Sequence, residues 1–267
     1  RIKHFVRLEA NGKIGKCGHM TKTQEFDSFD EMQNSDWLNE IDGLSKKGIW
    51  PAQCSRCRLS EETTGTSVRL DAIERDIILK ALDKNYLIVG GTLDNICNSA
   101  CISCNEHVST KIGSLKTKNY RVVNNFEKFF ELPQEKIIEV DISGGEPTAS
   151  PNYKKLLKTL PTNTMIVRIN TNGSKIIPEV ENLLKENKKI IITLSFDGVE
   201  DVHDYARWPI KWSLYKENVN RYIELKNTYS NLRLNFWTTL SCLNLFNFDE
   251  ILAYAENKKI DHSYGFC

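Results

Sequence analysis

Asn95-Ile96-Cys97-Asn98-Ser99-Ala100-Cys101-Ile102-Ser103-Cys104 places three thiols within eight residues, directly after the apolar run Tyr86-Leu87-Ile88-Val89. Three cysteines this close can meet at one metal centre without help from distant chain. They leave a fourth coordination position unassigned, and the spacing suits a centre that keeps it open for a ligand.

Outward from this stretch, toward the C-terminus, the pattern alternates strands with helices. Strands are predicted at Leu87–Leu93, Ile137–Ser143, Met165–Asn170, Ile190–Ser195, Leu232–Leu240 and Ser263–Cys267. Between them, Ile176, Ile177, Val180, Leu183 and Leu184 recur at helical spacing, with Lys185, Lys188 and Lys189 closing the last turn. Further helices are predicted over Ser213 to about Tyr229 and over Phe248 to Glu256. Strands alternating with helices argue for parallel β/α units. In a β/α barrel, chemistry collects at the C-terminal strand ends. The cysteine cluster follows the first strand, and Ser143-Gly144-Gly145-Glu146-Pro147 follows the second. Asn170-Thr171-Asn172-Gly173 follows the third and Ser195-Phe196-Asp197-Gly198 the fourth. Each alone reads as a turn; together on one rim they read as a site.

Toward the N-terminus, Phe5–Leu8 and Lys13–Lys16 flank Asn11-Gly12, a two-residue hairpin signal. Cys17 sits at the hairpin exit. Residues 21–48 predict one or two short helices, with Phe26, Phe29, Met32, Trp37, Leu38, Ile41 and Leu44 as a small core. Cys54-Ser55-Arg56-Cys57 follows Pro51. A hairpin thiol and a C-x-x-C joined by a compact stretch suit a metal-clamped unit too small to be stable by burial alone. Zinc held by Cys17, Cys54, Cys57 and His19 satisfies that pattern as well as iron–sulfur does. Residues 59–84 are predicted to connect, ending in a helix from Ala72 to Leu82.

The whole chain has 267 residues, 40% hydrophobic and 27% charged, ordinary values for a soluble globular protein. A net charge of +1 offers no electrostatic footprint for nucleic acid or an acidic membrane surface. No apolar run approaches the ~20 residues that cross a bilayer. With no signal peptide, a cytoplasmic location is expected. The chain starts at Arg1 and stops at Cys267 inside a predicted strand, so truncation at both ends is expected. Eight cysteines are many for a cytosolic chain and few for a disulfide scaffold, and C-x-x-C spacing favours metal.

Cys97-x3-Cys101-x2-Cys104 followed by Gly144-Gly145-Glu146-Pro147 resembles the radical S-adenosylmethionine (radical SAM) enzymes. Thr171-Asn172-Gly173, Ser195-Phe196-Asp197-Gly198 and His203-Asp204-Tyr205-Ala206-Arg207 are similar to the SPASM/Twitch branch. The N-terminal cysteines, with Glu61-Glu62 and Ser67-Val68-Arg69, resemble a Twitch-type auxiliary-cluster module. The resemblance implies an α/β fold: a partial (β/α)6 barrel over residues 85–267, preceded by a hairpin-plus-helix auxiliary module and connector over 1–84. It implies a SAM-binding 4Fe–4S cluster on Cys97, Cys101 and Cys104, and an auxiliary iron–sulfur cluster on Cys17, Cys54 and Cys57. Gly144 and Gly145 would let ligand atoms approach the backbone, with Pro147 completing the motif. Glu146 would accept from the ligand ammonium, and Ser195 would reach the ribose. Asn172 and Asp197 belong to the same cofactor-binding set. Arg207 has two readings, the ligand carboxylate's partner or a surface ion-pair residue. The implied activity is reductive cleavage of SAM to a 5′-deoxyadenosyl radical that takes hydrogen from a peptide or small-molecule substrate. An electron donor such as flavodoxin or ferredoxin would supply the reductant. One departure is Ser103, where the family commonly carries an aromatic residue.

Cys242, after the fifth strand, is a candidate hydrogen donor to a product radical, or a small packed hydrophobe; Cys267 carries the same ambiguity. His107 and His203 are expected to be structural or surface residues. Trp208, Pro209 and Trp212 could wall a substrate pocket or pack in the core. The rival from another class is a non-catalytic zinc-binding structural or interaction protein, which has no need of Gly144-Gly145-Glu146 and the other rim residues.

Overall fold

The computed structural model describes residues 4–21, 23–71, 85–117 and 119–266. The predicted Ala72–Leu82 helix and Cys267 lie outside them. The strands are β1 (Phe5–Leu8), β2 (Ile14–Gly15), β3 (Leu87–Thr92), β4 (Ile137–Ser143), β5 (Ile166–Thr171), β6 (Lys189–Ser195), β7 (Leu232–Leu240) and β8 (Asp261–Phe266). They form one sheet in the order β2-β1-β3-β4-β5-β6-β7-β8. Only β1 and β2 run antiparallel; every later neighbour pair is parallel. Branched and apolar residues alternate along these strands, which suits a pleated surface half turned to a core.

The strand limits differ from the sequence expectation by a residue or two at β3, β5, β6 and β8, and agree at β4 and β7. A larger difference lies in the hairpin. Asn11-Gly12 does sit in the turn, but within a five-residue loop, where Gly12 N donates to Glu9 O (3.1 Å) and Glu9 N to Lys13 O (2.9 Å). The Asn11 side chain accepts from Lys13 N at 3.0 Å, and this local turn takes up the extra residues. The hairpin also joins the main sheet, since β1 runs parallel to β3 with Phe5 opposite Ile88 and Leu8 opposite Gly91.

Between hairpin and C-x-x-C lie α1 (Phe29–Asn34) and α2 (Asp36–Lys46), each capped by a serine whose hydroxyl accepts a backbone N–H. Phe26, Met32, Leu38 and Ile41 are buried as expected. Residues 55–64, half of them expected to connect, are instead helix α3 (Ser55–Thr64), closed by Gly65. The later helices are α4 (Thr110–Lys116), α5 (Phe126–Phe130), α6 (Pro151–Lys158), α7 (Glu179–Lys185), α8 (Glu200–Ala206), α9 (Trp212–Thr228) and α10 (Phe248–Lys258).

The helices cover one face of the sheet. Val140, Ile142, Val167, Ile169, Ile190, Ile192, Leu194, Leu234 and Phe236 pack there against Tyr153, Leu156, Val180, Leu183, Tyr215, Val219, Tyr222 and Ile251. Many of the alternate residues on the other face are polar: Glu139 and Asp141 on β4, Arg168 and Asn170 on β5, Thr193 and Ser195 on β6, Arg233, Asn235 and Thr239 on β7, with Ile166, Ile191 and Trp237 among them. Arg168 Nε donates to Glu139 Oε1 at 2.6 Å across that face. Parallel sheets usually bury both faces. Here one face is apolar and packed while the other mixes polar residues with a small apolar cluster around Ile88 and Ile166.

Candidate active site at the C-terminal strand ends

The cysteine loop leaves β3 at Thr92 and is tied down before the first thiol. Asp94, fully buried, accepts from Ile96 N at 3.0 Å and from the Ser150 hydroxyl at 2.5 Å. Asn95, also fully buried, donates to the carbonyls of His107 (3.1 Å) and Arg121 (2.8 Å) and accepts from Val123 N (2.9 Å). Thr110, at the start of α4, receives Cys97 N at 3.1 Å. Buried side chains thus supply hydrogen bonds to this irregular backbone at both of its ends.

Three other strand ends then grip the loop. Glu146 N donates to Ile96 O at 2.7 Å. The Asn172 side chain donates to Asn98 Oδ1 (2.8 Å) and Ser99 Oγ (3.2 Å). Ser174 Oγ accepts from Asn98 Nδ2 at 3.0 Å. From beyond β6, Arg207 Nη1 reaches Cys101 Sγ at 3.2 Å and Asp197 Oδ2 at 3.3 Å. Gly144 (φ +91°) and Gly145 (φ +54°) lie where a side chain would collide with the loop. A Cβ on Gly145 would overlap the Ile96 carbonyl and stand 2.9 Å from Ile96 N. Gly145→Ala is therefore expected to cost about 2–4 kcal/mol from backbone strain and overlap together. That should lower the thermal midpoint by on the order of 10 °C, measurable by circular dichroism; an unchanged midpoint would show that the loop yields freely.

Burial bears on two sequence expectations. The Glu146 carboxylate is 1% exposed and already accepts from Thr148 N, Thr148 Oγ1, Thr171 Oγ1 and Asn172 N at 2.7–3.0 Å. Burial raises its pKa despite these donors. It braces its own turn against the Thr171 turn: Oε1 takes three of these donors and Oε2 takes the Asn172 N–H, which leaves Oε2 capacity for one more donor. Arg207 is 8% exposed, so it is no surface ion-pair residue. Burial opposes its charge, but Asp197 and Cys101 hold the guanidinium protonated.

The remaining candidates divide. Pro147 is buried in its turn, and Ser195 ends β6 half-buried, opposite Trp237 on β7. Asp197 is buried and accepts from Thr239 N at 2.8 Å. Cys242 is exposed beyond the end of β7, so it is not a packed hydrophobe. Trp212 packs in the core, whereas Trp208 is 45% exposed with Lys111 over its ring at 5.3 Å. His203 is fully buried. Sequence reasoning missed Ser99, whose hydroxyl lies 3.4 Å from Cys97 Sγ and 3.5 Å from Cys101 Sγ. Its place two residues from each thiol is a signal that could have found it.

Three free thiols on one tied loop are the donor set that the spacing suggests for a cluster. Burial raises the Cys97 thiol and pushes Cys104 up to about 11; Cys101 adds to both, and Cys97 adds to Cys104. Such thiols stay protonated until a metal displaces the proton. Among the described residues no three His, Cys, Asp or Glu side chains converge on a single-ion site. A 4Fe–4S cube needs a more open arrangement, each thiolate serving its own iron.

The N-terminal cysteines also come together. Cys17, Cys54 and Cys57 line one cavity of about 500 Å³ with His19, Trp50 and Arg69. Thr21 N donates to Gln53 O at 2.9 Å, tying the Cys17 loop to the Cys54 turn. Arg69 lies over the Trp50 ring at 4.5 Å and its Nε donates to Glu61 at 2.8 Å, which explains the Glu61 and Ser67–Arg69 pattern. Burial raises the Cys54 thiol, and the neighbouring Cys57 and Cys17 add to it.

Comparison with known proteins finds similar chains. The mycofactocin maturase MftC of Mycobacterium tuberculosis (strain CDC 1551 / Oshkosh) is 30% identical over 113 residues, 42% of this chain and 28% of that protein. MftC of Mycolicibacterium smegmatis is 28% identical over 112 residues, again 42% and 28%. The chain thus matches less than a third of the length of these curated relatives. Streptococcus suis SuiB bound to precursor peptide SuiA superposes with a TM-score of 0.49 at 17% identity, covering 98% of this chain and 61% of that one. A family model described as the Radical SAM superfamily matches residues 93–255, more than half of the chain and the whole arc from the cysteine loop to α10. The chain belongs to the radical SAM superfamily.

Proposed function

We propose that this chain binds SAM at a 4Fe–4S cluster held by Cys97, Cys101 and Cys104, and generates a 5′-deoxyadenosyl radical that takes hydrogen from a peptide or small-molecule substrate. The observation that carries it is the convergence on one loop of residues from four strand ends, with the buried Arg207 guanidinium against Cys101. When bound and reduced, the cluster supplies one electron to the SAM sulfonium, giving methionine and the radical. The chain's own residues do the rest. Asp94, Asn95, Thr110 and Asn172 fix the thiols. Arg207 brings positive charge to the most buried of the three. Gly144 and Gly145 keep the backbone bare beside the loop, and Ser195 stands on the rim for the ribose.

In this reading the partly polar sheet face lines a partial barrel, with substrate held there and water excluded. Residues 1–84 form a Twitch-type module, and Cys17, Cys54 and Cys57 hold an auxiliary iron–sulfur cluster. The name of the curated relative, a maturase, supports a substrate that is itself an unfinished product. Flavodoxin or ferredoxin would deliver the electron. Among the described residues no helix is long and apolar enough to cross a membrane. The test is anaerobic reconstitution with iron and sulfide, reduction with dithionite, and addition of SAM. 5′-Deoxyadenosine is expected in the quenched mixture; colourless, zinc-rich protein that releases none would favour the structural rival.

A further inference from the structure

Behind Arg207, between the sheet and helices α8, α9 and α10, the chain buries polar atoms that its own described residues leave without hydrogen bonds. They are Nδ1 and Nε2 of His203, the hydroxyls of Tyr215 and Tyr254, Nε of Arg207 and Oδ2 of Asp197. His203 and Tyr215 are 0% exposed. Their rings are 4.5 Å apart, and Trp212 bridges from His203 (5.3 Å) to Tyr254 (4.9 Å). The groups also share one electrostatic environment. Burial, with the Arg207 charge, pushes His203 down to about 3, so it is a neutral imidazole. Arg207, Tyr254 and Asp197 all act on the Tyr215 hydroxyl. His203 also meets the Gly198 backbone, which accounts for at most one of its two ring nitrogens.

A buried hydroxyl or imidazole without a partner costs about 1–3 kcal/mol. Even with Asp197 Oδ2 paired to Arg207 and one His203 nitrogen turned to the Gly198 backbone, four such atoms gathered at one place are more than a native core tolerates dry. A polar cavity with several donors and acceptors is where internal water is retained. His203 lies one helical turn before Arg207, which in turn touches Cys101. Whatever fixes this cluster therefore fixes the guanidinium at the thiol.

We propose that His203 and Tyr215 share ordered internal water and through it hold the Arg207 guanidinium against Cys101. They are positioning residues for the group bound at the cysteine loop; the claim rests on the proposed function for its consequence, though not for the water itself. Replacing a hydroxyl or ring nitrogen with carbon keeps the packing and removes the water's partner. The guanidinium then loses its fixed direction, and the reduced, more anionic state of the bound group loses a stabilising charge.

The experiment uses Tyr215→Phe, His203→Phe and His203→Gln, with Arg207→Gln as reference. Crystals of metal-free wild-type chain are expected to show water within hydrogen-bond reach of both the His203 ring and the Tyr215 hydroxyl, and Tyr215→Phe to lose it; a dry cavity in wild type overturns the proposal. After reconstitution to equal iron content, an EPR-monitored redox titration is expected to give a more negative midpoint for Tyr215→Phe and His203→Phe, in the direction of Arg207→Gln. SAM cleavage should fall about tenfold, or ~1.4 kcal/mol. His203→Gln, which keeps hydrogen-bonding atoms, should recover most of both. Wild-type midpoints in both Phe variants, with Arg207→Gln shifted, would refute the positioning role. A wild-type protein that binds iron yet shows no SAM-dependent EPR change sinks the functional reading instead, while the metal-free crystals still decide the water.

Discussion

Alanine at Cys97, Cys101 and Cys104 together is expected to abolish 5′-deoxyadenosine release from the reduced, SAM-supplied protein, to the background of a no-enzyme control. In the proposed function the effect should be total, because these three thiols are the ligands the loop offers for the cluster that would deliver the electron to SAM. The fold should survive. The loop is held by Asp94, Asn95, Thr110 and Asn172, none of which is altered, and Cys101 is the only one of the three thiols that is fully buried. Thermal melting of the metal-free variant should lie close to metal-free wild type, since loss of one small buried thiol leaves only a small cavity. Release that persists in the triple variant, measured by chromatography of quenched reactions, would remove the basis of the functional assignment.

The second large effect concerns the other cysteines. With both sites filled, the reconstituted chain should carry about eight irons. Cys17, Cys54 and Cys57 changed together to alanine should bring this to about four, with the SAM-responsive EPR signal retained. The two sites are served by separate loops, so loss at one need not disturb the other. The cavity of about 500 Å³ lined by these thiols, His19, Trp50 and Arg69 gives a cluster room. Iron and sulfide analysis of the purified variant checks the count. An iron content unchanged at about four in wild type and variant alike, with zinc lost from the variant, would assign the N-terminal site to zinc.

Much of the fold was legible because period is legible. The limits of β4 and β7 agree with the sequence, since apolar residues recur there at period two, Gly144-Gly145 turns at positive φ, and Ser241 N turns to donate to Asn244. The hairpin loop was misjudged because Asn-Gly signals a turn without counting its residues; the Asn11 side chain and Glu9 carbonyl lengthened it. α3 was partly taken for a connector because its exposed polar residues carry no apolar stripe, and no side chain of it is buried.

Within the site, the sequence alone determined the thiols, their spacing and the strand ends that carry the partners. These follow from chain-local chemistry: three cysteines on one loop, and glycines where the backbone must run bare. Only the tertiary structure decided what each partner does. It turned Glu146 inward as a brace and drew Arg207 out of solvent onto Cys101. It also put Ser99 between two thiols and gathered His203 and Tyr215 behind the guanidinium. Hydrogen-bond partners of a buried polar group are fixed by which distant segments the sheet brings within 3 Å or so, and that distance is set by packing, which no local stretch of sequence contains.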